Sequence, residues 1–259
     1  MSVGPRSRPT DARCTHERFG CLTIAHFAAQ SNVSCMTNST LRRIAALGAC
    51  VLGALCVLPA RAAAQAKPAA AAPKTPPGWV ARPDAGGNSA EVLLVEMKPG
   101  FHVTTGPATI VFDSTMRATG NWRLEATIHL FNPGARAEGF GVIFGGRGLS
   151  SPTPTYAYAL VRRDGKALLK VREGVTTRTV RDWSSSAGIP QWTATAGGSV
   201  KYPLVIEARA DRVTMSVGGT QVLDAPRSEL PTDGIVGLRV NHALNLHVEK
   251  LAVAPLAPR

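Results

Sequence analysis

Three small groups of side chains in this sequence could do chemistry. Arg123, Glu125, Thr127 and His129 alternate with apolar residues in WRLEATIHLF, so an extended backbone puts them on one face. Glu125 and His129 could serve as acid and base, but four residues of strand set them roughly 13 Å apart, so a substrate would have to lie between them. A second group joins His102 and Thr104 to Arg239, Asn241 and His242, on the expectation that the first and last strands pair. Their guanidinium, amide and imidazole groups could converge on a sugar or a carboxylate, and His102 and His242 join Glu125 as candidates for acid–base roles. The third group is Trp183 and Trp192, which flank the loop RDWSSSAGIPQW. An exposed indole at a loop can stack on the C–H-rich face of a pyranose. The plainer alternatives are an ordinary wet sheet face for the polar groups and core-capping tryptophans.

Other chemistries lack their residues. There is no Gly-rich phosphate loop, no G-x-S-x-G elbow and no H-E-x-x-H pair. Cys14, His16 and Cys21 do not have zinc-ligand spacing. Asp113, Asp164, Asp182, Asp211, Asp224 and Asp233 are isolated and read as turn residues, whereas calcium needs several convergent oxygens. No metal or other cofactor is expected, with calcium the remaining possibility.

The elements that must position these groups are strands. Trp122, Leu124, Ala126, Ile128 and Leu130 point one way while the polar stripe points the other, the pattern of a strand with one dry and one wet face. Phe140, Val142 and Phe144 repeat it, as do Tyr156, Tyr158 and Leu160, which the pattern directs inward. Asp164-Gly165 and Gly218-Gly219 read as two-residue hairpins, because both positions of each tolerate positive φ. Asp211-Arg212 reads as another tight turn, and Asn241–Ala243 connects the last two strands. Pro107 and Pro203 fit the protection of sheet edges. Many short strands without helical crossovers predict an all-β, two-sheet antiparallel jelly-roll sandwich.

All five cysteines precede residue 57. A second start-like Met36 is followed by Arg42 and Arg43, then by the apolar run Ile44–Leu58 of 15 residues. That length suits a secretory signal and is short for a membrane span of about 20 residues. Ala64-Gln65-Ala66 offers a cleavage site near Ala66, although Leu47-Gly48-Ala49-Cys50 also resembles a lipobox and an uncleaved anchor is a further alternative. Residues 1–35 read as a mis-assigned or disordered extension, 36–66 as a signal peptide, 67–88 as an Ala/Pro-rich linker and 89–256 as the folded domain. The expected location is the periplasm or extracellular space of a bacterium, with no transmembrane segment in the mature form. Of 29 basic and 17 acidic residues, 22 and 15 lie from Lys67 onward, for a charge of about +7. The basic residues are scattered without an aromatic-interleaved stripe, which argues against nucleic acid and leaves attraction to an anionic envelope polymer open.

YPLVIEARADRVTMSVGGTQVLDAP and DGIVGLRVNHALNLHVEKLAV resemble the strand–turn–strand unit and the closing strands of the concanavalin A-like, or laminin G-like, jelly roll. Within that fold the sequence is similar to exported bacterial domains described as 3-keto-disaccharide hydrolases, often labelled glycoside hydrolase family sixteen. The resemblance implies a sugar ligand, bound at a curved sheet face or its loops. Family-sixteen enzymes carry E-x-D-x-x-E on one strand, which aligns their carboxylates on a single face. Here Ala126-Thr127 follow Glu125 and Ala208-Arg209 follow Glu207, so that set is missing. The expectation is an exported carbohydrate- or envelope-polymer-binding domain without catalysis. A sugar hydrolase and a protein-interaction module are the alternatives.

Overall fold

The computed structural model describes residues 74–194 and 197–257. Residues 1–35, the expected export segment with Cys50, and residues 67–73 of the linker lie outside these residues.

Fourteen strands run in chain order: β1 Trp79–Pro83, β2 Val92–Glu96, β3 Phe101–Thr105, β4 Thr109–Ala118, β5 Trp122–Phe131, β6 Gly139–Arg147, β7 Thr155–Arg162, β8 Lys166–Glu173, β9 Thr176–Ser185, β10 Ser199–Ala208, β11 Arg212–Val217, β12 Thr220–Pro226, β13 Gly234–Val240 and β14 Asn245–Pro255. Two single-turn 3₁₀ segments, Ser89–Glu91 and Arg227–Glu229, are the only helical pieces among the described residues. Sheet A has the order β1-β4-β13-β6-β7-β8-β9, and sheet B the order β12-β11-β10-β5-β14-β3-β2. Every named pairing is antiparallel. This is the two-sheet jelly-roll sandwich that the alternation predicts.

The core lies between the sheets. Leu124, Ala126, Ile128 and Leu130 of β5 and Tyr202, Leu204 and Ile206 of β10 face Phe140, Val142 and Phe144 of β6 and Leu238 and Val240 of β13. Trp122 is buried and donates its indole N–H to the Thr232 carbonyl at 3.1 Å. With about 25 cal/mol per Å² of apolar surface removed from water, such a core stabilises the sandwich without thiol crosslinks.

Four local features differ from the sequence reading. β1 lies within the segment read as linker, because Trp79 packs at a tilt against Phe101, 4.6 Å between ring centroids, and ties WVARP to the sandwich. Arg162 pairs directly with Lys166, so the β7–β8 loop has three residues, with Gly165 at φ +77°. Tyr156 and Tyr158 point away from the inter-sheet core, which takes Ala157, Ala159 and Val161 instead. Pro203 sits inside β10 between β5 and β11, not at an edge. Its carbonyl accepts the Gly218 N–H at 3.0 Å, so its missing N–H faces Gly218, where β11 turns into the hairpin and the ladder ends. That hairpin is the expected two-residue turn, with Gly218 and Gly219 at φ +55° and +87°.

Candidate functional site

Each sheet presents an outward face, and the candidate residues divide between the two. β3 pairs with β2 and β14 in sheet B, while β13 pairs with β4 and β6 in sheet A. The expected meeting of His102 and Thr104 with Arg239 and Asn241 therefore does not form. The chain crosses between sheets after Val240, so β13 and β14 are not a hairpin. Thr105 holds this crossing by donating its hydroxyl to the Asn241 carbonyl at 2.6 Å and accepting the Leu244 N–H at 3.3 Å.

On the outward face of sheet B, Arg123, Glu125, Thr127 and His129 of β5 share a surface with His102 and Thr104 of β3. One register row runs Val95, His102, His247, His129, Lys201. Three imidazoles thus lie side by side, with His247 6.1 Å from His102 and 5.9 Å from His129 between ring centroids. His102 Nε2 contacts Asn245 Oδ1, and His129 Nε2 meets Glu249 Oε2 at 2.8 Å. Asn245 and His247 escaped the sequence reading, although the alternation of LNLHVEKL marks them as outward. The charges on this face are paired: Arg123 with Glu125 and Glu207, Lys250 with Glu125, Lys201 with Glu249, and Arg212 with Asp224. Hydrogen bonds from Lys250 and Arg123 hold the Glu125 carboxyl below its ordinary range. Glu125 is therefore ionised, unsuited to donate a proton, and bonded away from His129.

The outward face of sheet A is built differently. A register row runs Arg82, Ile110, Arg239, Gly141, Leu160, Leu168. Arg239 is only 8 % exposed. Its guanidinium grips Asp84 with two bonds, Nη1 to Oδ1 at 2.7 Å and Nη2 to Oδ2 at 2.6 Å, and Nε donates to Asn241 Oδ1 at 3.2 Å. Burial alone would raise the Asp84 value, but the Arg239 bonds and charge, helped by Arg172 at 3.8 Å, bring it below the usual carboxylate range. Tyr156 and Tyr158 stand beside this pair with ring centroids 5.8 Å apart. Burial pushes both phenols up despite the nearby Arg239, so their hydroxyls stay protonated. Ile110, Phe112, Ile143, Leu149 and Ile235 pack with Tyr156 into a second small apolar cluster that supports the face.

Two glycines at its centre let their neighbours approach closely. A Cβ on Gly141 would come within 2.2 Å of the Ala159 carbonyl oxygen, and one on Gly139 within 2.9 Å of the Trp183 ring. Trp183 thus lies over Gly139 and Leu160, one strand away from Asn241. The Arg162 guanidinium sits 4.5 Å from the Trp183 ring centroid. His242, at the crossing after β13, has Nδ1 3.7 Å from Glu138 Oε2. Of the sequence-derived residues, Trp183, Arg239, Asn241 and His242 therefore gather on sheet A. His102, Thr104, Arg123, Glu125 and His129 gather on sheet B. The proposed acid–base trio of Glu125, His102 and His242 is split between the two faces. Trp192 leaves the loop to pack against the core. Asp84, Arg82 and Arg172 were not singled out from the sequence, and Tyr158 was read as a core residue. Asp84 fell in the apparent linker, and Tyr158 was assigned the opposite phase.

Among the described residues, no group of three or more His, Cys, Asp or Glu side chains is arranged to hold a metal ion. The arrangement on sheet A can donate and accept hydrogen bonds from fixed positions beside an aromatic ring, which is chemistry suited to recognition.

No protein-family model matches the chain, and no curated protein matches it at a significant level. Solved structures with the same fold do. The carbohydrate binding module CBM66 from Bacillus subtilis is similar with a TM-score of 0.50 and 15 % identity, covering 68 % of this chain and 94 % of that one. A Bacillus subtilis protein with a galectin-like fold has a TM-score of 0.52 and 11 % identity, covering 70 % and 90 %. The exoplasmic/lumenal domain of VIP36, in a form bound to Ca²⁺ and mannose, has a TM-score of 0.50 and 10 % identity, covering 71 % and 85 %. At these identities the likeness is one of fold.

Proposed function

We propose that this chain is an exported, non-catalytic β-sandwich that binds carbohydrate across the outward face of sheet A. The carrying observation is the juxtaposition of Trp183, packed over Gly139, and the Arg239–Asp84–Asn241 cluster. A sugar ring has an apolar C–H face and a rim of hydroxyls. The indole suits the first, and fixed guanidinium, carboxylate and amide groups suit the second. Arg239 is locked at both ends of its fork, so little side-chain entropy remains to be lost on binding. Two neighbours in fold space, a carbohydrate binding module and a mannose-bound domain, support the same reading. Export is supported by the basic, apolar and small-residue order of residues 36–66 and by a sandwich free of cysteine.

The absence of catalysis is supported by the state of the carboxylates. Glycosidic cleavage most often uses a pair of carboxyl groups facing one bond. Asp84 is clamped by Arg239, and Glu125 by Lys250 and Arg123 on the other face. A glycan array probed with the purified protein tests the reading. Binding that Trp183→Ala weakens and Arg123→Ala spares is expected; silence across neutral and acidic glycans would remove it. Incubation with ordinary and 3-keto disaccharides is expected to give no turnover.

A further inference from the structure

We infer that the ligand of the sheet A face is an acidic polysaccharide, one whose rings carry carboxylates. The inference rests on the carbohydrate-binding reading of that face and adds the chemical class. Its basis is an asymmetry between the two faces of the sandwich. On sheet B the outward charges cancel: Arg123, Lys201, Lys250 and Arg212 are met by Glu125, Glu207, Glu249 and Asp224. On sheet A the outward strand positions carry Arg82, Arg162, Lys166, Lys170, Arg172 and Arg239, and no acid alternates with them. The compensating carboxylates come from loops and are fewer. Asp84 serves both Arg239 and Arg172, Asp164 takes Arg162, and Glu138, next to Gly139, meets Arg136 and His242. Among the described residues, Arg82 is bonded only to the Ser151 carbonyl, which is neutral.

Lys166 and Lys170 have no carboxylate partner among the described residues, and both are half-buried beside apolar neighbours. A partly desolvated ammonium without a counter-charge gains more from an anion than a solvated one does. The two lysines flank Leu168 on β8, roughly 13 Å apart along the strand. Trp183 stands next to Leu168 on β9, across from the gap between them. A sugar stacked on Trp183 would thus have a cation on either side, where acidic groups of its neighbours in a polymer would fall. The excess charge of the domain is concentrated where the aromatic ring is. That combination favours a charged sugar chain over a duplex or a membrane surface, neither of which offers a saccharide face to the indole.

Calorimetric titration of the protein with polygalacturonate, and with the same polymer after reduction of its carboxyls to alcohols, tests this directly. The acidic polymer should bind, more weakly as salt rises, and the reduced polymer should bind at least tenfold less tightly. The double variant Lys166→Ala/Lys170→Ala should lose about tenfold in affinity, the scale of two charge contacts at a surface. Lys201→Ala/Lys250→Ala, on the other face, should lose less than twofold. Equal binding of both polymers would overturn the acidic class and leave the carbohydrate reading standing. Binding of neither would remove both. Equally tight binding to phosphatidylserine vesicles or duplex DNA, with the same dependence on Lys166 and Lys170, would overturn it in favour of an unselective polyanion surface.

Discussion

Replacing Asp84 by Asn should destabilise the sandwich, even though Asp84 lies in a stretch of sequence that reads as linker. Arg239 is 8 % exposed and its guanidinium has one counter-charge at bonding distance. Removing one partner of a buried ion pair typically costs 3–5 kcal/mol. The Asp84 side chain is 34 % exposed, and Asn241 still accepts one guanidinium N–H, so water and the amide recover part of that. The expected loss is about 2–3 kcal/mol, or a melting point lower by roughly 5–10 °C for a domain of this size. Urea unfolding followed by tryptophan fluorescence would measure it. Adding Arg239→Met to Asp84→Asn should return at least about 1 kcal/mol, because an apolar side chain has no charge to strand. The sign with pH follows. The pair holds Asp84 below its ordinary value of 3.8, so its contribution is present above that value and disappears as pH falls through the lower, folded value. Asp84→Asn should therefore remove this part of the acid limb. A loss below about 0.5 kcal/mol, or a double variant as unstable as the sum of the singles, would refute the reasoning.

Tyr202 is fully buried and its hydroxyl has no hydrogen-bond partner among the described residues, so Tyr202→Phe should stabilise by about 1 kcal/mol in the same unfolding assay. Gly141→Ala should cost about 2 kcal/mol or more, because its methyl would sit 2.2 Å from the Ala159 carbonyl oxygen and β6 would have to shift away from β7. Burial first, and then the charges of His102 and His129, lower the proton affinity of His247 from its ordinary 6.5. The unfolded chain therefore binds that proton more readily, and stability should fall as pH drops below about 6.5; His247→Gln should flatten this part of a melting-point profile measured against pH. Trp183→Ala should leave the circular dichroism spectrum unchanged while weakening sugar binding by about tenfold, the scale of one aromatic contact.

Period-two alternation carried most of the architecture. Leu124 to Leu130 and Phe140 to Phe144 fall in the core as their spacing requires, and Gly218-Gly219 forms the turn its residues demand. What alternation cannot supply is which of two apolar faces meets the partner sheet. Tyr156, Tyr158 and Leu160 alternate with Ala157, Ala159 and Val161, and the smaller set lies between the sheets. Nor does it say which neighbours a strand takes. Leu238 and Leu246 face the same core from opposite sheets, so a connection that resembles a hairpin is a crossing. That single ambiguity placed His102 beside Arg239 instead of beside His247. Five residues, WVARP, are too few to show periodicity between Ala- and Pro-rich flanks, so β1 and the Asp84 that follows it stayed hidden.

An amide and indole NMR titration with oligogalacturonate tests the assignment of the binding face most directly. The expected result is that shifts concentrate at Gly139, Gly141, Lys170, Asn241 and the Trp183 indole N–H. Shifts concentrated at His102, Arg123, His129 and His247, or no shifts at saturating oligosaccharide, would contradict it.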